Sequence, residues 1–314
     1  MHAYYADRFV LPLPAGHRFP MSKYAALRDR LRQALPEIEI EPAPAATDGE
    51  LALIHSPDYI RAVADGSLDP AIQKAIGFPW SVAMAERARH SVGATIAAAH
   101  RAQGHGIAAN LAGGTHHAGR ASGSGFCVFN DVAVASRLLQ AEHARHSRRP
   151  YRIAVIDCDV HQGNGTAAIF AGDPDVFTLS LHGEKNFPFR KEAGDLDVDL
   201  PDGCGDAEYL AALEQALTTL ENRFDADFVF YLAGADPHEG DRLGRLKLSF
   251  DGLEARDRRV FDWAWQRRLP LAFAMAGGYG RDMADTLLAQ ERTFRVAVEY
   301  AARWDALARQ GRSA

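Results

Sequence analysis

The residues most able to do chemistry follow an apolar stretch near the middle of the chain, residues 153–156. Asp157, Asp159 and His161 come after it at every second position. Because side chains alternate faces along a strand, these three groups are expected to point the same way. Two neighbouring carboxylates at the end of a buried strand repel each other and are costly to bury unless cations or hydrogen-bond donors neutralise them. The simplest interpretation is a metal site at this strand end.

Three other apolar runs also end in groups that can bind a metal or move a proton. These groups are the pair His116 and His117, then Asp236, then Tyr279. The carboxyl ends of parallel strands meet at one edge of a sheet, where α/β proteins bind their ligands. Residues far apart in the sequence are therefore expected to converge on one site.

The elements that must position these groups alternate between strands and helices, which indicates right-handed βαβ units. We predict an α/β fold with a mainly parallel central sheet flanked by helices and an active site at the carboxyl ends of the strands. Residues 1–314 are assigned to a single catalytic domain, because one large α/β sheet commonly reaches this length.

Several local features rest on weaker patterns. Residues 41–48 are interpreted as a loop and residues 185–202 as an irregular rim of the site. Two helices are predicted after the last strand, and His55 is interpreted as a partly buried surface histidine. Ser56 and Pro57 have the residue types of an N-cap and a first helical position, so a helix is expected to begin there.

Composition excludes several classes of function. The chain has 314 residues, a formal net charge of -6 and no long Lys or Arg block, so a nucleic-acid partner is not expected. Three cysteines without a CxxC spacing favour neither a disulfide framework nor a thiolate zinc site. No membrane span or secretory signal pattern is visible. We expect a cytoplasmic protein without a membrane partner, and its oligomeric state stays open.

Asp159, His161 and Asp236 would offer a metal two oxygen ligands and one nitrogen ligand. Such a set leaves coordination positions open, which is typical of catalytic rather than structural zinc. Zinc is therefore the first metal predicted, with Fe²⁺ as the alternative. A zinc ion polarises a carbonyl oxygen and lowers the pKa of bound water, two requirements of amide hydrolysis. His116 and His117 would supply general acid and base catalysis.

Five motifs, in this order, resemble those of the zinc-dependent histone deacetylases. They are GGTHH at 113–117, GFC at 125–127, DCDVHQGNG at 157–165, GAD at 234–236 and GGY at 277–279. The HQGNG form, with EGDRLG at 239–244, is most similar to the class IV branch and its bacterial relatives. The resemblance, which runs from about His55 to Tyr279, implies the arginase/deacetylase fold and the removal of acyl groups from lysine side chains.

The resemblance also implies a role for each site residue. It makes Asp159, His161 and Asp236 the zinc ligands and Tyr279 the group that polarises the scissile carbonyl. A tunnel for the substrate would be lined by Gly125, Phe126, Gly277 and Gly278.

The two histidines receive separate roles by the same resemblance. Asp157 would orient His116, and His117 would be the principal general base and acid. Asn164 stands behind His117, where class I enzymes have an aspartate. This difference is expected to change the pH dependence of the reaction rather than to abolish activity.

Cation sites are a further implication of the resemblance. Potassium would lie under the zinc, held by Asp157, Ser180 and the main-chain oxygens of Asp159, His161 and Leu181. A second, peripheral cation would involve Phe170, Asp173 and Val176.

The substrate and even the activity have alternatives. Acylated lysine in a protein or peptide is the main hypothesis, with longer acyl chains accepted at least as well as acetyl. A small acylated amine such as an acetylpolyamine is the second, and it would favour an acidic, narrow entrance. A non-catalytic acyl-lysine binder would be expected to lose Tyr279 or a metal ligand. An arginase-like dimanganese enzyme would need more carboxylates in place of the histidine pair.

Overall fold

The computed structural model describes residues 1–312 and contains an eight-stranded sheet. All neighbouring strands are parallel, in the order β2-β1-β3-β8-β7-β4-β5-β6. The predicted α/β fold with a parallel central sheet is therefore confirmed. The strands are β1 (His2–Tyr5), β2 (Glu39–Pro42), β3 (Ile107–Asn110), β4 (Ile153–Asp157), β5 (Val176–Gly183), β6 (Leu196–Leu200), β7 (Phe228–Leu232) and β8 (Leu271–Ala274).

The inner strands can be recognised from their apolar sequences, whereas the edge strands cannot. Strands β3, β4, β5, β7 and β8 are buried at every position, as expected of strands covered on both faces. The edge strands β2 and β6 are short, acidic and largely accessible. The segments predicted as irregular, 41–48 and 185–202, in fact contain the end of β2 and all of β6. Edge strands of this kind lack the apolar run that identifies an inner strand.

Helices cover both faces of the sheet and bury two apolar clusters against it. Helices α3, α5, α6 and α7 contribute to one face, and α1, α8, α9 and α10 to the other. None of the helices within residues 1–312 is both long and apolar enough to cross a membrane. The helices are α1 (Lys23–Ala34), α2 (Asp48–Leu51), α3 (Pro57–Asp65), α4 (Pro70–Ile76), α5 (Val82–His105), α6 (Asp131–His143), α7 (Asn164–Phe170), α8 (Asp206–Arg223), α9 (Phe250–Gln266) and α10 (Met283–Arg312).

Two local predictions are wrong and one is confirmed. Residues 283–312 form one helix, α10, rather than two, and no Gly or Pro interrupts residues 283–310. His55 is only 1% exposed, and its Nε2 accepts a hydrogen bond from the Asn130 N–H at 3.0 Å, so it is a core residue. Ser56 and Pro57 begin α3 as N-cap and first helical residue, as predicted.

Strand order brings the candidate groups together. Strands β3, β8, β7 and β4 are consecutive neighbours in the sheet. The segments after their carboxyl ends carry, respectively, the histidine pair, Tyr279, Asp236, and the pair Asp159 and His161.

Candidate functional site

Asp159, His161 and Asp236 form a compact, buried group beyond the ends of β4 and β7. Each offers a ligand atom within 4.8 Å of the other two. His161 Nδ1 lies 2.8 Å from Asp159 Oδ1 and 3.4 Å from Asp236 Oδ2. Among the described residues, none makes a well-formed hydrogen bond to Asp236 Oδ2, although this atom is buried. The three residues therefore have the spacing of a metal-ligand set, and a metal ion would neutralise their carboxylates.

Backbone N–H groups hold the two carboxylates in place. The N–H of Gly277 donates to Asp159 Oδ2 at 2.7 Å, and that of Val160 donates to Asp236 Oδ1 at 2.9 Å. A Cβ atom at Gly277 would overlap both carboxylates. Glycine is required there because the backbone approaches the ligand group so closely.

Electrostatics in this group agree with its need for positive charge. Burial and the neighbouring charge of Asp159 raise the pKa of Asp236 to about 7. Burial alone would lower the pKa of His161, but its hydrogen bond to Asp159 and the nearby carboxylate of Asp236 raise it to about 10. Both shifts show that positive charge is favoured between these atoms.

His116 is paired with a carboxylate. Its Nδ1 lies 2.6 Å from Asp157 Oδ2, and both side chains are buried. Burial opposes the charged form, but the charges of Asp157 and Asp159 raise the pKa of His116 to about 9. The predicted contact between Asp157 and His116 is present.

His117 is paired with a neutral amide instead. Its Nδ1 donates to Asn164 Oδ1 at 2.7 Å, which leaves the lone pair on Nε2. Burial, together with repulsion from His116 and His161, lowers the pKa of His117 well below its usual value. A neutral imidazole with a free lone pair at the cavity wall is suited to accept a proton.

A cavity of about 470 Å³ lies above these groups, and both histidines line it. Its wall also contains the predicted hydroxyl donor, Tyr279, and three of the predicted tunnel residues, Gly125, Phe126 and Gly277. Gly278 is not part of the wall in the described structure. A Cβ there would meet Thr286 and Ala235 instead, and its carbonyl accepts a hydrogen bond from Lys23.

The loop after β7 positions Tyr279. Asp241 Oδ2 accepts a hydrogen bond from the Tyr279 N–H at 2.6 Å, and its Oδ1 accepts from Leu243 and Gly244. The carboxylate of Asp241 thus holds the backbone of Tyr279 against this loop. Burial raises the pKa of Tyr279, so its hydroxyl stays protonated and able to donate.

Aromatic rings form the sides of the cavity. Phe126 has a φ of 66°, which is uncommon for a residue with a side chain, and follows Gly125 at 53°. Both N–H groups are held by carbonyls at the end of α4. The ring of Phe187 packs edge-on against His117 at 4.9 Å between centroids. Phe187 lies in a segment predicted as irregular, and only the aromatic residues within that segment could have indicated it.

Some of the residues predicted to bind potassium lie close together on neighbouring strands. Asp157 and Ser180 are partners in the register of β4 and β5, and Leu181 is the next residue. The Ser180 hydroxyl lies 2.9 Å from His182 Nδ1. At the peripheral site, Asp173 pairs with Arg137, so the chain itself supplies a cation there. Both cation sites stay predictions.

A buried arginine that sequence reasoning missed supports the site from behind. Arg256 of α9 donates through Nη1 to the carbonyls of Gly234 at 2.6 Å and Cys158 at 3.2 Å. Its Nε and Nη2 pair with Asp257. The two carbonyls belong to the segments that carry Asp236 and Asp159, so this arginine joins the two ligand segments.

Known proteins resemble the chain over most of its length. Residues 17–292 match the histone deacetylase domain family. An uncharacterized protein of Picosynechococcus sp. is 42% identical over 93% of this chain and 97% of its own length. Histone deacetylase 2 of Arabidopsis thaliana is 32% identical over 78% of this chain and 64% of its own length. The polyamine deacetylase HDAC10 of Homo sapiens is 33% identical over 72% of this chain and 37% of its own length.

The fold comparison agrees with the sequence comparison. The crystal structure of an HDAC homolog from Aquifex aeolicus has a TM-score of 0.77 with this structure, at 24% identity, over 96% of this chain and 88% of that chain. At this identity the likeness concerns the fold, which is the predicted arginase/deacetylase fold. Since the family match covers 17–292 and carries the five motifs, the chain belongs to the histone deacetylase family.

Proposed function

We propose that the protein is a zinc-dependent hydrolase that removes acyl groups from lysine side chains. The observation that carries this proposal is the meeting of two differently paired histidines and Tyr279 in the cavity above Asp159, His161 and Asp236. A general base and a hydroxyl donor in one cavity, next to a metal-ligand set, are the parts that amide hydrolysis requires.

The metal-ligand group fits zinc. Two carboxylates and one imidazole nitrogen lie within 4.8 Å of one another, and Asp236 Oδ2 lacks a well-formed hydrogen bond among the described residues. Zinc accepts this mixture of ligands. When bound, it would act as a Lewis acid on the acyl carbonyl and make water a stronger acid. Fe²⁺ is the alternative metal.

The side chains around the group divide the remaining work. His117 Nε2 takes a proton from the attacking water, while Asn164 fixes the tautomer through Nδ1. The Tyr279 hydroxyl donates a hydrogen bond to the acyl oxygen as its negative charge develops. His117 then delivers the proton to the departing lysine nitrogen. His116 is hydrogen-bonded to Asp157, and its ring places a positive charge next to the carboxylate of Asp159.

The cavity mouth favours acyl-lysine over an acetylpolyamine. Arg18, Lys185 and Arg245 lie along it, and Asp159 is the sole carboxylate among the described residues that line the cavity. Asp202 lies within 4.0 Å of both Lys185 and Arg245 but is not in the cavity wall. A polyamine carries further positive charges, which this mouth would repel. A non-catalytic binder is disfavoured because the site keeps the metal-ligand set and Tyr279.

Further parts of the proposal concern ions, branch and location. We infer a potassium ion beneath the zinc, a place in the class IV branch, acceptance of acyl groups longer than acetyl, and action in the cytoplasm. The motifs at 157–165 and 239–244, with the alignment of Asp157 and Ser180 in the sheet, support the first two.

Metal content and turnover together test the proposal. The purified chain should contain about one zinc and should hydrolyse an acetyl-lysine peptide with higher kcat/KM than acetylspermidine. Asp236→Ala should lose both metal and activity, because it removes one of the ligands. Asp305→Ala, at an exposed position of α10 outside the cavity wall, serves as the control. Unchanged zinc content in Asp236→Ala would refute the ligand set, and a preference for acetylspermidine would refute the substrate class.

A further inference from the structure

The buried part of the cavity contains a cation that the proposed reaction does not use. Arg87 of α5 lines the cavity and is only 9% exposed. No described residue forms an ion pair or a hydrogen bond with its guanidinium, and its buried Nε has no partner. Its guanidinium carbon lies 4.7 Å from the ring centroid of Tyr24 and 5.3 Å from that of Phe19. The aromatic rings hold the guanidinium but do not neutralise it.

The buried carboxylate that binds the glycine segment of the cavity wall is already occupied by other donors. Asp131, the buried carboxylate beneath this part of the wall, accepts hydrogen bonds from Thr95, from Thr115 and from the Gly114 N–H. It does not form an ion pair with Arg87. Arg87 therefore has no ion-pair partner among the described residues.

A second buried cation adds to this charge. Lys23 is 1% exposed and donates to the Gly278 carbonyl at 3.1 Å. Its Nζ lies 5.1 Å from the Tyr24 ring and 4.9 Å from the Tyr279 ring, and no described carboxylate pairs with it. Ser91, one turn along α5 from Arg87, also lines the cavity.

We propose that Arg87 is the specificity residue for acyl groups that themselves end in a carboxylate, such as the succinyl or glutaryl group on lysine. This inference rests on the proposed hydrolysis of acyl-lysine. A neutral acyl chain that filled the buried part of the cavity would leave a desolvated guanidinium without a partner, which is costly. A terminal carboxylate would pair with it through two N–H···O bonds, the geometry that arginine provides best.

The chemistry is the same hydrolysis on a charged acyl group. Water adds its oxygen to the acyl carbon, and the C–N bond of the amide breaks. The lysine nitrogen takes up a proton and leaves as an amine, and the acyl group leaves as a dicarboxylate. No oxidant, reductant or other co-reactant is needed.

Matched acyl pairs on one peptide test the proposal. Succinyl is compared with pentanoyl, and glutaryl with hexanoyl, because the members of each pair have similar length and differ in terminal charge. For at least one pair we expect the peptide with the carboxylated acyl group to have a kcat/KM about 10- to 100-fold higher than its neutral partner. A hydrogen bond to a charged group in a buried site contributes a free energy of that size. In Arg87→Met that ratio should fall to about one or below. Arg89→Met, on the same helix but outside the cavity wall, should keep the parental ratio.

Binding gives a second readout that does not depend on turnover. With Tyr279→Phe, calorimetry should show that the favoured carboxylated peptide binds about 10-fold or more tightly than its neutral partner. Equal ratios in the parent, or equal dissociation constants in both pairs, would overturn the proposal for Arg87. Hydrolysis of the acetyl-lysine peptide by the parent decides the proposed function separately, so failure of one claim is distinguishable from failure of the other.

Discussion

Two buried arginines lie on opposite faces of the same sheet, and they differ in whether hydrogen-bond acceptors surround them. Arg256 of α9 is 1% exposed and satisfied by Asp257 and two carbonyls. Arg87 of α5 is 9% exposed and, among the described residues, has aromatic rings but no acceptor. Taking a charge out of water costs several kcal/mol unless it is paired. A fully paired buried charge fixes structure, and an unpaired one at a cavity wall indicates a ligand.

The partners of Asp257 extend the network around Arg256. Its Oδ1 accepts from the Tyr231 hydroxyl at 2.5 Å, and its Oδ2 accepts from Thr293 at 2.6 Å. Strand β7 and helices α9 and α10 are thus joined behind the site. Nothing comparable surrounds Arg87, whose neighbours belong to the cavity.

The largest effect on stability is expected from Arg256→Met. Removing one partner of a buried ion pair typically costs about 3–5 kcal/mol in the free energy of unfolding, because the other charge stays buried. Zinc affinity should fall as well, since the carbonyls of Gly234 and Cys158 lose their donor. Urea unfolding and zinc titration measure the two effects.

Arg258→Met is the matched control on the same helix. Arg258 pairs with Glu299 at an accessible position, and such pairs contribute about 0–1 kcal/mol. If Arg256→Met were no more destabilised than Arg258→Met, the structural role assigned to Arg256 would be wrong.

Arg87→Met should have a much smaller effect on stability. The substitution removes a buried charge without breaking a pair, so the free energy of unfolding should change by less than about 1 kcal/mol or increase. The same urea experiment measures it. A loss above about 2 kcal/mol would reveal an internal partner and would remove the contrast with Arg256.

Much of the site could be predicted because parallel strands bring their carboxyl ends to one edge. His116 and Asp157 are 41 residues apart, and His117 and Asn164 are 47 residues apart, yet both pairs meet. The resemblance supplied these pairings. The parallel sheet itself followed from the alternation of apolar runs with helical segments.

What the sequence did not disclose depends on packing across the fold. Arg87 and Arg256 both lie on helices, and only tertiary contacts show which of them has a partner. The sequence indicates a surface position for His55, but its side chain is buried and accepts a hydrogen bond from Asn130. Strands β2 and β6 obtain their order from neighbouring strands rather than from their own apolar content.

The smallest effect is expected from Asn164→Asp, which places a charge behind a neutral site histidine. A carboxylate within hydrogen-bond reach raises a histidine pKa by about 1–3 units. His117 would then be protonated up to a higher pH, so the acidic limb of the kcat/KM profile should move upward, with zinc content unchanged. Profiles of the zinc and cobalt forms check the assignment. A limb that follows the metal and ignores Asn164→Asp would not belong to His117.

The most direct test of the central claim is the kcat of Tyr279→Phe on an acetyl-lysine peptide, with zinc content measured on the same sample. Loss of one hydrogen-bond donor to a developing oxyanion typically lowers kcat about 100- to 1000-fold. We predict that reduction, with parental zinc content and a similar peptide dissociation constant. A kcat near that of the parent would contradict the claim that this cavity is the site of acyl-lysine hydrolysis.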